Sequence, residues 1–259
     1  MTKVVILCGG LGTRLREETE FRPKPMVEIG GRPILWHIMK LFAHHGFTDF
    51  VLCIGYRGQI IKDYFLNYEA WNSDFTVTLG DHSSVEFYAS HLEAGWRVTV
   101  VDTGDETATG GRVKRVERYL DGGSFVVTYG DGLADIDISE LVKFHEHHGK
   151  IATVTTTRPF ARFGIVDLDE DHVVRRFREK PKSEEWVNSG FFVFDRKFLD
   201  YLELDCVLER EPLEVLAKEE QLVAYQHGGF FRPMDTYREF LLLNELWTRG
   251  EAPWAVWER

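Results

Sequence analysis

The sequence predicts an α/β fold with a mostly parallel central sheet. Residues 4–8 and 49–56 are short apolar runs rich in β-branched side chains, which is typical of strands covered on both faces. The segment between them, 30–47, has the periodicity of a helix that begins near Pro33 and ends at Gly46. A strand, a helix and a second strand in this order form the crossover that joins parallel strands.

The elements that follow extend the same plan. Residues 67–95 are polar without sustained periodicity, and they are interpreted as an insertion that forms a hairpin or an interface arm. Asp137 and Glu140 suit a capping box for the helix after them. Further helices are expected at 59–65, 138–149, 211–219 and 240–250, and strands at 96–104, 124–132, 150–157 and 189–194, with a hairpin over 163–181 that turns at 170–171. No repeat or linker divides the chain, so 1–259 is predicted to be one domain.

Composition and charge restrict the function classes. The chain has 259 residues, of which 44% are hydrophobic, and a formal net charge of −11, which argues against binding to nucleic acid or to an anionic membrane. No apolar run reaches the roughly 20 residues of a membrane helix, and no secretory segment is apparent, so a cytoplasmic location is expected. Cys8, Cys53 and Cys206 are too few for a disulfide framework and are predicted to be buried free thiols.

A glycine-rich loop follows the first strand in "VVILCGGLGTRLREETEFRPKPM". Gly10 and Gly12 begin a dinucleotide fingerprint, but Leu15 stands where its third glycine belongs, which disfavours an NAD or flavin oxidoreductase. No glycine is followed by lysine and a hydroxyl residue, so a Walker A loop is also disfavoured. Backbone N–H groups in this loop, together with Thr13 and Arg14, could still bind phosphate.

Lys24 stands between two prolines. Because each proline restricts its own backbone and that of the preceding residue, the lysine side chain leaves a stiff segment in a defined direction. A preorganised cation suits a charged ligand. Taken alone, the same tripeptide is more typical of a solvated lysine at the end of a surface loop.

The pattern G-G-x-G-T-R-L, followed about ten residues later by P-K-P-M, resembles the signature of the sugar nucleotidyltransferases. The segments "GWRVTVVDTGDETATGGRVKRV", "FVVTYGDGLADIDI", "FREKP", "FFRPMDTYRE" and "APWAVW" are similar to the same family, in particular to its glucose-1-phosphate cytidylyltransferase branch. The resemblance covers essentially the whole chain. It implies a nucleotide-diphospho-sugar transferase fold, with a Rossmann-like nucleotide-binding half in 1–135 and a smaller sugar-phosphate-binding half in 136–259.

The resemblance also implies a reaction, a cofactor and site residues. CMP would pass from CTP to α-D-glucose 1-phosphate or a related hexose 1-phosphate, with Mg²⁺ held by Asp131 and Asp235, in a homo-oligomer. Catalytic roles would fall to Arg14, Lys24, Asp131 and Lys180. The implied nucleotide contacts are Leu7, Cys8, Gly9, Gly10, Leu11, Gly12, Thr13, Arg14, Lys24, Thr107, Arg112 and Gly130. The implied sugar-phosphate contacts are Glu179, Lys180, Asn188 and Gly190.

Several alternatives stay open. Asp131 in its Gly-Asp-Gly setting is also typical of a plain turn, and Asp235 also suits the N-cap of the helix after it. The same fold could serve another nucleotide or sugar, or a non-catalytic sensor of nucleotides or sugar phosphates. The histidines in 145–148 lack metal-ligand spacing and are interpreted as a polar helix end. Trp254 and Trp257 are expected to pack onto their own domain, with a subunit contact as the alternative.

Overall fold

The computed structural model describes residues 2–80, 84–88, 91–161 and 163–258, except for the side chains of Arg14, Arg16 and Glu17. The strands are β1 Lys3–Leu7, β2 Glu28–Ile29, β3 Arg32–Pro33, β4 Asp49–Ile54, β5 Phe75–Val77, β6 Val85–Phe87, β7 Arg97–Asp102, β8 Ser124–Tyr129, β9 Gly132–Ala134, β10 Ala152–Thr157, β11 Ile165–Leu168, β12 Val174–Arg178, β13 Val187–Asp195, β14 Leu222–Gln226 and β15 Phe231–Pro233. The α-helices are α1 Arg16–Thr19, α2 Ile34–His44, α3 Gly58–Leu66, α4 Tyr68–Asn72, α5 Thr109–Arg115, α6 Ile138–His148, α7 Glu211–Lys218 and α8 Tyr237–Thr248. Short 3₁₀ helices cover Thr13–Leu15, Lys24–Met26, Glu117–Tyr119, Arg196–Tyr201 and Val256–Glu258.

The central sheet has seven strands in the order β14-β10-β13-β8-β1-β4-β7. β8, β1, β4 and β7 run parallel, as do β10 and β14, whereas β13 is antiparallel to both of its neighbours. The predicted α/β fold with a mostly parallel sheet is therefore confirmed. The chain moves from β1 to β4 and β7 on one side and then returns to β8 on the other side. This change of direction leaves a crevice at the carboxyl ends of β1 and β8, where ligands bind in open α/β sheets.

Helices cover both faces of the sheet. Val4 and Ile6 point into one core with α2, α6 and α8, whereas Val5 and Leu7 point into a second core with α5 and α7. This two-sided burial explains why β1 is apolar without alternation. Within the described ranges, no helix is long and apolar enough to cross a membrane.

Most predicted elements are present, and the differences are local. The 67–95 insertion contains α4 and an antiparallel hairpin of β5 and β6, which confirms the hairpin, whereas its role as an interface arm stays a prediction. Asp137 caps α6 by accepting the Glu140 N–H at 2.9 Å. The short strands β9, β14 and β15 were not predicted. Burial is confirmed for Cys8 and Cys53 but wrong for Cys206, which is half-exposed in the loop before α7.

The C-terminal segment packs onto α2, as expected for its tryptophans. Trp254 is fully buried, and its indole N–H donates to Nδ1 of His37 at 3.3 Å. On the opposite side of the ring, Nε2 of His37 lies 2.9 Å from the Ile29 carbonyl. Because an indole only donates and a carbonyl only accepts, His37 must be neutral with its proton on Nε2.

This burial should make stability depend on pH. Burial lowers the pKa of His37 from 6.5 to about 4, so the unfolded chain binds a proton between these values that the folded protein rejects. Stability is therefore highest above pH 6.5 and falls as the pH drops towards 4, by about 3 kcal/mol for this group. Thermal unfolding at pH 7.5 and 5 should show a smaller difference for His37→Gln than for the wild type. His147→Gln, at an exposed site, is the control and should keep the wild-type difference between the two pH values. If His37→Gln keeps that difference as well, the pH dependence does not come from burial of His37.

Candidate functional site

A cavity of about 680 Å³ opens at the carboxyl ends of β1 and β8, in the crevice between these strands. It is lined by Leu7 to Thr13, Lys24, Pro25, Asp105 to Thr109, Arg112, Thr128 to Gly132, Asn188 to Gly190, Phe231, Pro233 and Asp235. Register places the ends of the strands together, because Leu7 pairs with both Tyr129 and Cys53. The Gly130 N–H donates to the Leu7 carbonyl at 3.0 Å, which joins the two segments that follow β1 and β8. The structure thus brings the glycine-rich loop, Lys24 and both predicted metal-binding aspartates to one cavity.

The guanidinium of Arg112 anchors the glycine-rich loop by hydrogen bonds. Nη1 of Arg112 donates to the carbonyls of Ile54 and Gly104 at 3.2 and 2.8 Å and to Thr103 Oγ1 at 2.7 Å. Its Nη2 donates to the carbonyls of Gly9 and Asp105 at 3.0 and 3.1 Å. A Cβ at position 9 would overlap the guanidinium, so glycine is needed for this close approach.

The environment of Arg112 bears on its predicted role. The resemblance implied a nucleotide contact, and Arg112 does line the cavity. However, the residue is 4% exposed, and both terminal nitrogens of its guanidinium are engaged by the protein. Thr107 also lines the cavity and donates its hydroxyl to the Thr103 carbonyl at 2.5 Å. The geometry therefore favours a role for Arg112 in shaping the loop. The side chain of Arg14 lies outside the described part of the structure.

Lys24 connects the two predicted metal ligands. Its Nζ lies 2.5 Å from Oδ2 of Asp131 and 2.7 Å from Oδ1 of Asp235. The lysine is only 8% exposed, so the solvated alternative is wrong. Burial alone would lower the pKa of Lys24. The negative charges of Asp131 and Asp235, and the hydrogen bond that each accepts from the ammonium, outweigh burial and raise this pKa. Lys24 therefore remains charged.

Pairing of two short strands brings the aspartates together. Asp131 lies in the turn between β8 and β9, and Asp235 lies two residues after β15. β9 and β15 are antiparallel, and the Met234 N–H donates to the Asp131 carbonyl at 2.9 Å. The N-cap alternative for Asp235 is wrong, because Thr236 caps α8 in a capping box with Glu239. The Asp235 carboxylate is thereby left facing Lys24.

The donor set fits a hard divalent cation. Two carboxylate oxygens converge on a single positive centre, here the Lys24 ammonium, and Mg²⁺ is commonly held by one or two carboxylates together with substrate phosphates. The described side chains contain no group of three or more His, Cys, Asp or Glu that could hold a metal without such help. Asp105 and Glu106 add two more acidic groups to the lining. A polyphosphate entering this cavity therefore needs an accompanying cation.

The predicted sugar-phosphate residues separate into two groups. Asn188 and Gly190 line the cavity on β13. Glu179 and Lys180 are not among the described residues that line it; they follow β12, and their side chains form an exposed ion pair at 3.4 Å. Lys180 also has a positive φ of 43°, which is uncommon for a residue with a side chain.

Tyr129 and Glu209 are among the side chains that sequence reasoning missed. Tyr129 ends β8 and lines the cavity, and its hydroxyl makes a short hydrogen bond to Oε1 of Glu209. The position of Tyr129, immediately before the Gly-Asp-Gly turn, was an available signal. Glu209 lies about eighty residues away in a loop, and no local pattern connects it to the cavity.

Comparison with known proteins places the chain in a family. A model of the nucleotidyl transferase family matches residues 3–227. The chain belongs to the nucleotidyl transferase family. A glucose-1-phosphate cytidylyltransferase of Salmonella typhi is 50% identical to this nucleotidyltransferase over 99% of the chain and 100% of the relative. A probable glucose-1-phosphate cytidylyltransferase of Bacillus subtilis is 42% identical over 98% of the chain and all of the relative.

Solved structures agree on the fold of this nucleotidyltransferase. HddC from Yersinia pseudotuberculosis superposes with a TM-score of 0.69 at 23% identity, covering 95% of this chain and all of that one. Enzymes of the family generally use a divalent metal ion, which agrees with the acidic cavity. The predicted family and fold are thus confirmed.

Proposed function

We propose that the protein is a glucose-1-phosphate cytidylyltransferase that transfers CMP from CTP to α-D-glucose 1-phosphate and releases pyrophosphate. The choice of substrates rests on the Salmonella typhi and Bacillus subtilis relatives, which are similar over essentially their whole length. The structural observation that supports it is the meeting of Lys24, Asp131 and Asp235 beside the glycine-rich loop. This combination suits a polyphosphate brought in with a metal ion.

The reaction requires mainly positioning and neutralisation of charge. An oxygen of the sugar phosphate attacks the α-phosphorus of CTP, a new P–O bond forms, and the bond from that phosphorus to the bridging oxygen breaks. Pyrophosphate leaves with the electron pair of the broken bond. Gly9 to Thr13 would present backbone N–H groups to the triphosphate. Lys24 would balance the charge that develops on the leaving group, since its ammonium is preorganised and protonated.

Asp131 and Asp235 would hold the metal, which we propose is Mg²⁺. When bound, it neutralises phosphate charge and polarises the α-phosphorus towards attack. Lys24 lies at the point on which both carboxylates converge. Binding of substrate and metal would therefore draw the ammonium from the carboxylates towards the phosphates.

The remaining assignments stay predictions with a physical basis. Asn188 and Gly190 would contact the sugar. Glu179 and Lys180 could reach the sugar phosphate only if the segment after β12 moves, because their side chains are exposed outside the cavity lining. Arg14, which the resemblance places near the nucleotide, would contact the leaving pyrophosphate together with Lys24. A cytoplasmic location and a homo-oligomeric state are likewise predictions.

A substrate grid tests the proposed function. Each of CTP, UTP, GTP, ATP and dTTP is combined with the 1-phosphates of glucose, galactose and mannose in Mg²⁺ buffer, and pyrophosphate release is measured. Release should be fastest with CTP and glucose 1-phosphate. A preference for another pair would overturn the proposed substrates, and no release from any pair would support the sensor alternative.

Asp131→Asn should lower kcat by about 10²-fold, because the amide keeps the shape but loses the negative charge. The Lys24 ammonium then also loses one of its two carboxylate partners. Asp121→Asn is a matched control, since Asp121 pairs with Lys3 at 3.0 Å on the surface. Equal turnover in the two variants would remove Asp131 from the mechanism.

A further inference from the structure

Glu209 accepts hydrogen bonds from two residues of the cavity wall without being one of its described lining residues. Its Oε1 accepts from the Tyr129 hydroxyl, and its Oε2 accepts from Thr109 Oγ1 at 2.7 Å. Thr109 Oγ1 in turn accepts from the Leu208 N–H at 2.9 Å. Glu209 therefore ties the end of β8 to the start of α5 and to its own loop.

The Tyr129 ring packs closely against Gly190. A Cβ at position 190 would overlap the ring, and the φ of +81° there also favours glycine. The Gly190 N–H donates to Oδ1 of Asn188 at 2.8 Å, which sets the direction of that amide. The positions of Tyr129, Gly190 and Asn188 are thus coupled at the β13 end of the cavity.

The β13 end of the cavity lies away from the glycine-rich loop. In the sheet, β13 and β1 are on opposite sides of β8, and the glycine-rich loop follows β1. Tyr129 ends β8, between these two sides, and lines the cavity there. Because an aromatic ring is flat and rigid, its placement determines which sugar ring fits beside Gly190.

We propose that Tyr129 and Glu209 are positioning residues for the sugar 1-phosphate. Glu209 holds the Tyr129 hydroxyl, and the anchored ring forms one wall of the sugar subsite beside Asn188 and Gly190. This inference rests on the proposed function, since it assumes that the sugar occupies the β13 end. A hydrogen bond from a hydroxyl to a carboxylate is among the stronger side-chain interactions, so its loss should be measurable.

Tyr129→Phe removes only the hydroxyl, and Glu209→Gln replaces one of two acceptor oxygens by a donor. Each variant should raise the KM for glucose 1-phosphate about tenfold, which corresponds to the loss of one charge-assisted hydrogen bond. The KM for CTP should change much less. Discrimination between glucose 1-phosphate and galactose 1-phosphate should also weaken. Both residues act through one contact. The KM of the double variant for glucose 1-phosphate should therefore not exceed the higher of the two single-variant values.

Tyr201→Phe is the matched control. The Tyr201 hydroxyl donates to Glu219 at 2.7 Å on the exposed surface, so the same kind of hydrogen bond is lost away from the cavity. This control should keep the wild-type KM values. The inference is overturned if Tyr129→Phe and Glu209→Gln leave the KM for glucose 1-phosphate unchanged, if they raise both KM values equally, or if their effects add in the double variant.

Calorimetric titration with glucose 1-phosphate separates this inference from the proposed function. If the wild type releases no pyrophosphate but binds glucose 1-phosphate, the proposed reaction fails while the positioning role can still be measured. About tenfold weaker binding by both variants then supports the role. Equal affinity in the wild type and both variants overturns it, and an absence of binding by the wild type overturns both proposals.

Discussion

Lys24→Met is expected to lower kcat about 10³-fold while the ligand-free protein binds Mg²⁺ about tenfold more tightly. The first effect follows from the loss of a preorganised cation beside the triphosphate. The second follows because Nζ of Lys24 lies 2.5 and 2.7 Å from the two carboxylates that would hold the metal. Without the ammonium, Asp131 and Asp235 repel each other, and a divalent cation relieves that repulsion. Pyrophosphate release measures the first effect, and a thermal-shift titration with Mg²⁺ measures the second.

Lys40→Met provides the matched control for this experiment. Nζ of Lys40 lies 2.8 Å from Oε1 of Glu93, and both side chains are about as buried as Lys24. This variant should lose stability without gaining any response to Mg²⁺, since only one carboxylate remains there for the cation. If Lys24→Met and Lys40→Met respond equally to Mg²⁺, the two aspartates do not form the metal site.

Arg112→Met is expected to lower the free energy of unfolding by about 3–5 kcal/mol, because its loss leaves the buried Gly9 carbonyl without its donor and removes the hydrogen bonds to Thr103, Gly104 and Asp105. The five acceptors lie at the end of β4 and in the segments after β1 and β7, so the wall of the cavity should loosen together with the fold. A fall in Tm of about 10 °C is the expected size for a chain of this length. Differential scanning calorimetry measures it directly.

Arg115→Met is the control for Arg112, since Arg115 lies on the same helix, is exposed and donates to the Thr103 carbonyl at 3.1 Å. Its Tm should stay close to that of the wild type. Kinetics distinguish the two roles considered for Arg112. If it shapes the loop, Arg112→Lys should weaken turnover with CTP and UTP by the same factor. A changed preference between the two would instead indicate a direct contact with the base.

Much of the fold follows from local patterns, and the missed elements have physical reasons. β14 was not predicted because it is a half-buried edge strand of five residues, without the continuous apolar run of β1 or β4. β9 and β15 have three residues each and exist only through their mutual pairing. Cys206 was expected to be buried like the other two cysteines, but unlike them it does not lie in an apolar run, and its loop leaves the thiol half-exposed.

The site was predictable where one short segment carries it. The glycine-rich loop and Lys24 lie within about twenty residues, and the pattern that they form together resembles the signature of the family. Asp131 and Asp235 could be paired only by resemblance, since more than a hundred residues separate them. The resemblance assigned Arg112 to the nucleotide. Its hydrogen bonds to the protein could not be predicted, because their acceptors lie in three segments that are distant along the chain.

By itself, the sequence determined the strand-helix-strand plan, the loop that follows the first strand, and the family. These depend on backbone periodicity and on short motifs, which act over a few residues. Only the tertiary structure decided that Lys24 lies between two aspartates and that Glu209 holds Tyr129 against Gly190. Such contacts arise when the sheet brings remote segments to one edge. Their energy depends on distances between atoms that local spacing along the chain does not specify.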